Sequence, residues 1–248
     1  MYLRILKQTT VGDTVRSYCF EPGNHHTGIT DWGNCTRCRL CHTRKRVAIK
    51  RTGGTGHTRL LFIGEAPGEL ENATGVPFVG VAGKILHQLF KLVHFQFQYQ
   101  ITNVVGCRPV DVMFLDEAYV DEDYTTLDSL TIDEDYQTVN WNREPVASEI
   151  EHCKPHIDEM LESFKPHGVV YLGKVAQSYN QPKYPVTEDD LLSNEAQLFR
   201  HSTGPYRHTP TLSLYHPAYI ARLEYKLLAL KKEARKLERF VERFMESK

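Results

Sequence analysis

A chain of 248 residues, 41% hydrophobic and 25% charged, is long enough for one α/β domain with extensions and a hydrophobic core of its own. No apolar stretch approaches the roughly 20 residues of a membrane helix, and the opening MYLRILKQTT lacks the apolar centre of a secretory signal, so no membrane partner is expected and the cytoplasm or nucleoid is the expected location. The formal charge is −1, but Val110 to Trp141 holds ten Asp or Glu and no Lys or Arg; that segment carries −10 and leaves +9 on the rest, a footprint suited to phosphate contact and shared by many inert surfaces.

Residues 1–33 contain turn formers (Pro22, Gly23, Gly28, Gly33) and few periodic apolar positions, and read as an N-terminal extension without chemistry. Six cysteines follow one another at 19, 35, 38, 41, 107 and 153. In a reducing compartment the C-x2-C pair Cys35 and Cys38 reads as metal or cluster binding rather than a disulfide. Zinc is the generic occupant of such a pair and needs two further ligands.

GGTGH at 53–57 reads as a turn. Leu60 to Ile63 then form a short apolar run stopped by Gly64, as expected of a strand buried on both faces. The loop after it is rich in Gly and Pro and carries Glu65, Glu71 and Phe78 before a helix from about Ala82. Ligands of open α/β sheets collect at such strand ends. An aromatic ring beside two carboxylates suits a planar heterocycle better than a phosphate, and the loop has no GxxxxGK[ST] pattern. Further along come the strand QITNVV, a helix from about Ala147 to Phe164, the strand GVVYLG, a short helix from Lys174, the strand TLSLYH and a final helix from about Ala218 to Met245. This alternation implies a parallel sheet between helices. The Lys- and Arg-rich final helix reads as an apolar stripe with a solvated outer face.

GEAPGELENATGVPFVGVAG, at 64–83, closely resembles motif 1 of the family 4 uracil-DNA glycosylases, the iron-sulfur branch of that superfamily. NCTRCRLCHTRKRVAI, QITNVVGCRP and LYHPAYIAR match the same family in the same order, from about Asn34 to Arg222. The resemblance implies a three-layer α/β/α sandwich with a four-stranded parallel sheet, in a domain over 34–248 with an acidic insertion at about 110–141. It implies a monomeric DNA-repair enzyme that flips uracil out of DNA and hydrolyses its N-glycosidic bond, leaving an abasic site. No lysine stands out as a Schiff-base nucleophile.

Residue by residue, the resemblance makes Phe78 the ring that stacks on uracil, with Gly64 and Ala66 in the same pocket. Asn103 reads the uracil edge, and His216 of HPAY stabilises charge on the leaving base. Glu71 excludes thymine, while Glu65 orients water or sugar. Arg222 touches phosphate or fills the vacated stack. A [4Fe-4S] cluster falls to Cys35, Cys38, Cys107 and Cys153, with zinc the alternative that four thiolates also suit. Cys41 and Cys19 are not needed as ligands. Two departures stand out. The better-known family 1 loop reads GQDPY, and alignment puts Ala66 at its Asp and Gly68 at its Tyr. The usual Glu-Asp pair is here Glu71-Asn72.

The insertion separates CRP from NREP, which family members join by a few residues. It reads as a solvated loop or small subdomain, or else as a segment that docks a protein partner or competes with DNA. The alternative functions are a glycosylase for a modified pyrimidine and a catalytically silent DNA-binding or regulatory module built around the insertion. A related branch traps uracil covalently through a histidine in this region; none lies between Val110 and Trp141, which argues against trapping.

Overall fold

The computed structural model describes residues 32–114, 138–180, 199–200 and 209–245. The extension up to residue 31, with Cys19, and residues 115–137 of the acidic insertion lie outside the described residues. Two single-turn 3-10 helices, Trp32–Asn34 and Arg39–Cys41, lead into strands β1 (Arg51–Gly54) and β2 (Thr58–Gly64). Helices α1 (Glu69–Thr74) and α2 (Val81–Leu92) precede β3 (Phe97–Asn103), β4 (Val110–Phe114) and β5 (Thr138–Asn142). Then come α3 (Ala147–Phe164), β6 (Gly168–Leu172), α4 (Lys174–Asn180), β7 (Phe199–Arg200), β8 (Pro210–Leu214), α5 (Pro217–Arg222) and α6 (Lys226–Met245).

The main sheet has the order β1-β3-β2-β6-β8-β7. Its four central strands are parallel, as expected, and β1 and β7 add antiparallel edges. Alternation along β2 and β6 assigns the two faces. Leu60, Phe62, Val170 and Leu172 join α2, α5 and α6 in one core, while Leu61, Ile63, Val169 and Tyr171 join α3 and α4 in the other. Successive strand side chains point to opposite faces, so a strand apolar at every position requires helices on both sides. The result is a three-layer sandwich. The chain leaves β2 for β3 on one side and later returns to β6 on the other, which makes the carboxyl ends of β2 and its neighbours the switch point where ligands bind.

Two stretches differ from their sequence reading, and a third gains detail. GGTGH is in part a strand: Gly53 and Gly54 pair with Tyr99 and Gln98 of β3. The final helix is two helices, because Leu223 is extended (φ −77°, ψ 138°) and lets α5 and α6 each pack on α2. The insertion springs from an antiparallel ladder, β4 on β5, running from Val110↔Asn142 to Phe114↔Thr138.

Candidate active site

Three strand ends converge on one cavity of about 410 Å³. β2 delivers Glu65 and Ala66, β3 delivers Asn103, and β8 delivers His216, while Glu71 and Phe78 come from the loop after β2. The register sets Gly64 beside Asn103, and the Val104 N–H donates to the Gly64 carbonyl at 2.9 Å. A Cβ on Gly64 would stand 2.5 Å from both Asn103 Oδ1 and Phe78 Cζ, so this glycine lets the amide and the ring share the pocket floor.

Phe78 is buried and has φ +56°, a left-handed backbone that a bulky side chain seldom adopts. Its surroundings hold it there. Arg51 Nη1 donates to the Phe78 carbonyl at 2.6 Å, and the Glu71 carboxylate accepts the next two amides, Val79 at 2.9 Å and Gly80 at 2.8 Å. The other Glu71 oxygen accepts from Gly68 N at 3.2 Å. Glu71 is thus buried with three backbone N–H groups and ties both ends of the loop together. The adjacent Asn72 faces elsewhere: its Oδ1 accepts the Lys45 N–H at 2.8 Å, joining the loop to the cysteine segment.

His216 caps α5, and its Nδ1 accepts the Ala218 N–H at 3.2 Å. The neutral ring therefore carries its proton on Nε2. Burial and then the charge of Arg222 push its pKa down to about 4. The Phe78 and His216 ring centroids lie 6.2 Å apart. Asn103 is 1% exposed, and its Oδ1 has no hydrogen-bond partner among the described residues. Leaving a buried acceptor unpaired is costly, so the pocket is built to receive a donor there. Glu65 is half-buried, and burial followed by the nearby Glu144 raises its carboxyl pKa against the opposing charge of Lys174. Arg222 stands exposed at the rim.

A second constellation lies behind the pocket. Cys38, Cys107 and Cys153 are buried in one cluster with Leu40 and Val105, and Cys35 is half-buried. The Cys38 and Cys153 side chains are hydrogen-bonded, which draws Cys38 down to about 7 and raises Cys153; burial raises Cys107 to about 12, with Cys35 and Cys38 adding to the rise. All five cysteines among the described residues are outside disulfides. Among those residues no three His, Cys, Asp or Glu are set as the ligands of a single metal ion. A donor set of thiols alone is soft, and it suits either an iron-sulfur group or tetrahedral zinc.

The family model for the uracil DNA glycosylase superfamily matches residues 51–244. The chain belongs to this superfamily. Within it the similarity is to the type-4 branch. The chain is 30% identical over 186 residues to the type-4 uracil-DNA glycosylase of Saccharolobus solfataricus, covering 74% of this chain and 71% of the relative. It is 29% identical over 189 residues to the type-4 enzyme of Thermotoga maritima, covering 76% and 78%, and 25% identical over 185 residues to that of Archaeoglobus fulgidus, covering 74% and 77%.

Two pocket residues of this superfamily member had no part in the sequence reading. Asn142 and Arg143 line the cavity beside Pro109, whose carbonyl accepts the Arg143 N–H at 3.3 Å, at the point where the insertion's ladder begins. Arg108 Nε donates to Asn142 Oδ1 at 2.7 Å, and Arg143 forks onto buried Glu149 at 2.8 and 2.6 Å. Burial alone would raise the Glu149 carboxyl, but the hydrogen bonds from Arg143, the Val146 N–H and Arg39 outweigh it and hold it below the usual carboxylate range. Arg39 lies in the cysteine loop, so Glu149 links that loop to the pocket wall. The NREP string contains both residues, and in sequence it only marked the far end of the insertion. No helix among the described residues is long and apolar enough to cross a membrane.

Proposed function

We propose that this chain excises uracil from DNA by hydrolysing the bond between C1′ of deoxyribose and N1 of the base, acting as a monomer through a single domain over 34–248. The observation that carries the reading is the unpartnered Asn103 Oδ1 in a cavity shared with Phe78 and a neutral His216. Uracil presents an N3–H between two carbonyls. Asn103 Oδ1 accepts that N3–H while its Nδ2 donates to a flanking carbonyl, and cytosine, with a bare N3, would leave the amide mispaired. Phe78 stacks on the extruded ring, offsetting the few kcal/mol that unstacking costs.

As the C1′–N1 bond breaks, its electron pair moves onto the base and concentrates on O2, and positive charge grows at C1′. His216 Nε2–H donates to O2 without first losing or gaining a proton, an oxyanion-hole arrangement. Water supplies the oxygen that bonds to C1′, and the base leaves as an anion. Glu65, held at the end of β2, orients that water or the sugar. Glu71 is a fixed wall against the thymine methyl, because three N–H groups prevent its side chain from moving aside. Arg222 at the rim contacts the phosphate backbone.

Cys35, Cys38, Cys107 and Cys153 would hold a [4Fe-4S] cluster, which supplies cross-linking of the N-terminal loop to the end of β3 and to α3. The acidic segment at 110–141 is a candidate surface for a protein partner, supported by its origin at the pocket wall. The deciding experiment incubates the protein with uracil-containing single- and double-stranded oligonucleotides and scores alkali-labile abasic sites, with H216A and N103A as controls. Abasic product from the parent and its loss in both variants supports the reading; a parent that leaves every uracil in place sinks it.

A further inference from the structure

Two ionisable side chains with no part in the hydrolysis lie inside the apolar core. Glu233 and Lys236 of α6 are 0% and 2% exposed, and Lys236 Nζ stands 3.0 Å from Glu233 Oε1. Around them are Leu230, Ala234, Leu237 and Phe240. An ion pair at this depth gives up its hydration, and an apolar pair of similar volume is often as stable or more so. Fold stability therefore does not account for it.

Its contacts do. Glu233 Oε2 accepts the backbone N–H of Tyr215 at 2.9 Å, and Lys236 Nζ lies 5.6 Å from the centroid of the Tyr215 ring. Tyr215 is the first residue beyond β8 and the one before His216. Other restraints act on His216 directly. The Ala218 N–H fixes its ring, and Gly173 (φ +88°) approaches so closely that an added Cβ would lie 2.8 Å from His216 Cβ. The peptide preceding His216 has its anchor in Glu233. The two carboxylate oxygens divide the work: one faces the ammonium group and the other the Tyr215 amide.

We propose that Glu233, oriented by Lys236, is a positioning residue that aims His216 at the leaving base by fixing the Tyr215 peptide. This rests on the reading of His216 as the donor to that base. Misaiming a preorganised donor lowers the rate of the chemical step more than it lowers substrate binding. A glutamine at 233 has a single acceptor oxygen, which Lys236 and the Tyr215 amide would compete for. Removing the ammonium group should return that oxygen to Tyr215.

The test compares E233Q, E233Q/K236M and E233M/K236M on a uracil-containing oligonucleotide, with melting temperature and the ring nitrogen resonances of His216 recorded for each. E233Q should lower kcat by about tenfold with KM little changed, and E233Q/K236M should restore it to within about twofold. E233M/K236M, equally neutral but without the acceptor, should stay low at a similar melting temperature and broaden the His216 resonances. In an H216A background all three differences should vanish, since they act through that ring. Equal kcat in the two double variants overturns the proposal; if E233M/K236M does not fold, failure of K236M to rescue E233Q does so. An H216A protein as fast as the parent instead overturns the reading of His216, so the two failures are distinguishable.

Discussion

The Ala218 N–H points at His216 Nδ1 from 3.2 Å, which leaves the ring's one proton on Nε2 and makes a neutral imidazole the donor. Replacing His216 by Ala should cost about 3–4 kcal/mol of transition-state stabilisation, a fall of about two to three powers of ten in single-turnover rate. Burial and Arg222 hold the folded pKa near 4 against the ordinary 6.5. The rate term from this ring should therefore be flat from pH 8 to about 5 and change only as pH falls toward 4. The unfolded chain takes up the proton first, so the ring's contribution to folding stability is full above about 6.5 and is lost as pH falls through about 4. A His216 ring that titrates near 6.5 in the folded protein by nitrogen chemical shift would contradict this.

Gly64→Ala tests the pocket floor. The added Cβ would lie 2.5 Å from Asn103 Oδ1 and from Phe78 Cζ, and both are buried with little room to retreat. Overpacking of this kind costs about 1–3 kcal/mol of stability, and whatever relieves it displaces either the Asn103 amide or the Phe78 ring. Uracil excision should fall by at least about tenfold, more than the stability loss explains. Thermal unfolding and initial rates on the same preparation check both parts; unchanged rates mean that the floor is more pliable than its packing implies.

Strands β2 and β6 were legible because both faces of each are apolar, a pattern that admits helices on either side and little else, whereas β3 and β8 alternate apolar with polar residues (Gln98 and Gln100, Thr211 and Ser213) and were read from the alternation of strands with helices. The edges were not. RTGG has poor strand propensity and forms β1 through its pairing with β3, a contact between distant segments. The division of the last helix at Leu223 carries no Gly or Pro to mark it, and follows from both halves packing on α2. In the site, Phe78, Asn103 and His216 stood out because short strings surround them. Asn142 and Arg143 did not, because the β4–β5 ladder brings them back beside Pro109 across the acidic segment, and no local spacing records that return. The two carboxylates of the loop looked alike in sequence. The structure separates them: Glu71 is saturated by three amides, whereas the half-buried Glu65 faces the cavity with a raised pKa.

Glu71→Gln should expose that difference. The amide offers one acceptor where the carboxylate offers two, and its NH2 must confront at least one of the Gly68, Val79 and Gly80 N–H groups. Loss of charge-assisted hydrogen bonds in a buried loop costs about 1.5–3 kcal/mol. The loop that holds Phe78 at φ +56° should loosen, so uracil excision falls and the margin over thymine narrows. Melting temperature, together with rates on U·G and T·G duplexes, provides the check. A variant with parent-like stability and selectivity would show that the three amides do not need a carboxylate.

Cys107→Ser addresses the cysteine site. Cys107 follows β3 by a few residues, in a buried stretch that runs unbroken from Asn103 through Val104 and Val105, so whatever the thiols bind restrains the strand end that carries Asn103. With an iron-sulfur cluster in place, the parent should show broad visible absorption and close to four irons per chain, as about four thiolates require. Cys107→Ser should lose both and unfold at lower temperature, because binding free energy at such a site is folding free energy. Cys41→Ser should keep the colour and the iron, since that thiol lies outside the proposed ligand set. Metal analysis of the parent is the sharpest part of the test: stoichiometric zinc without iron would assign the four thiols to a tetrahedral ion and overturn the cluster.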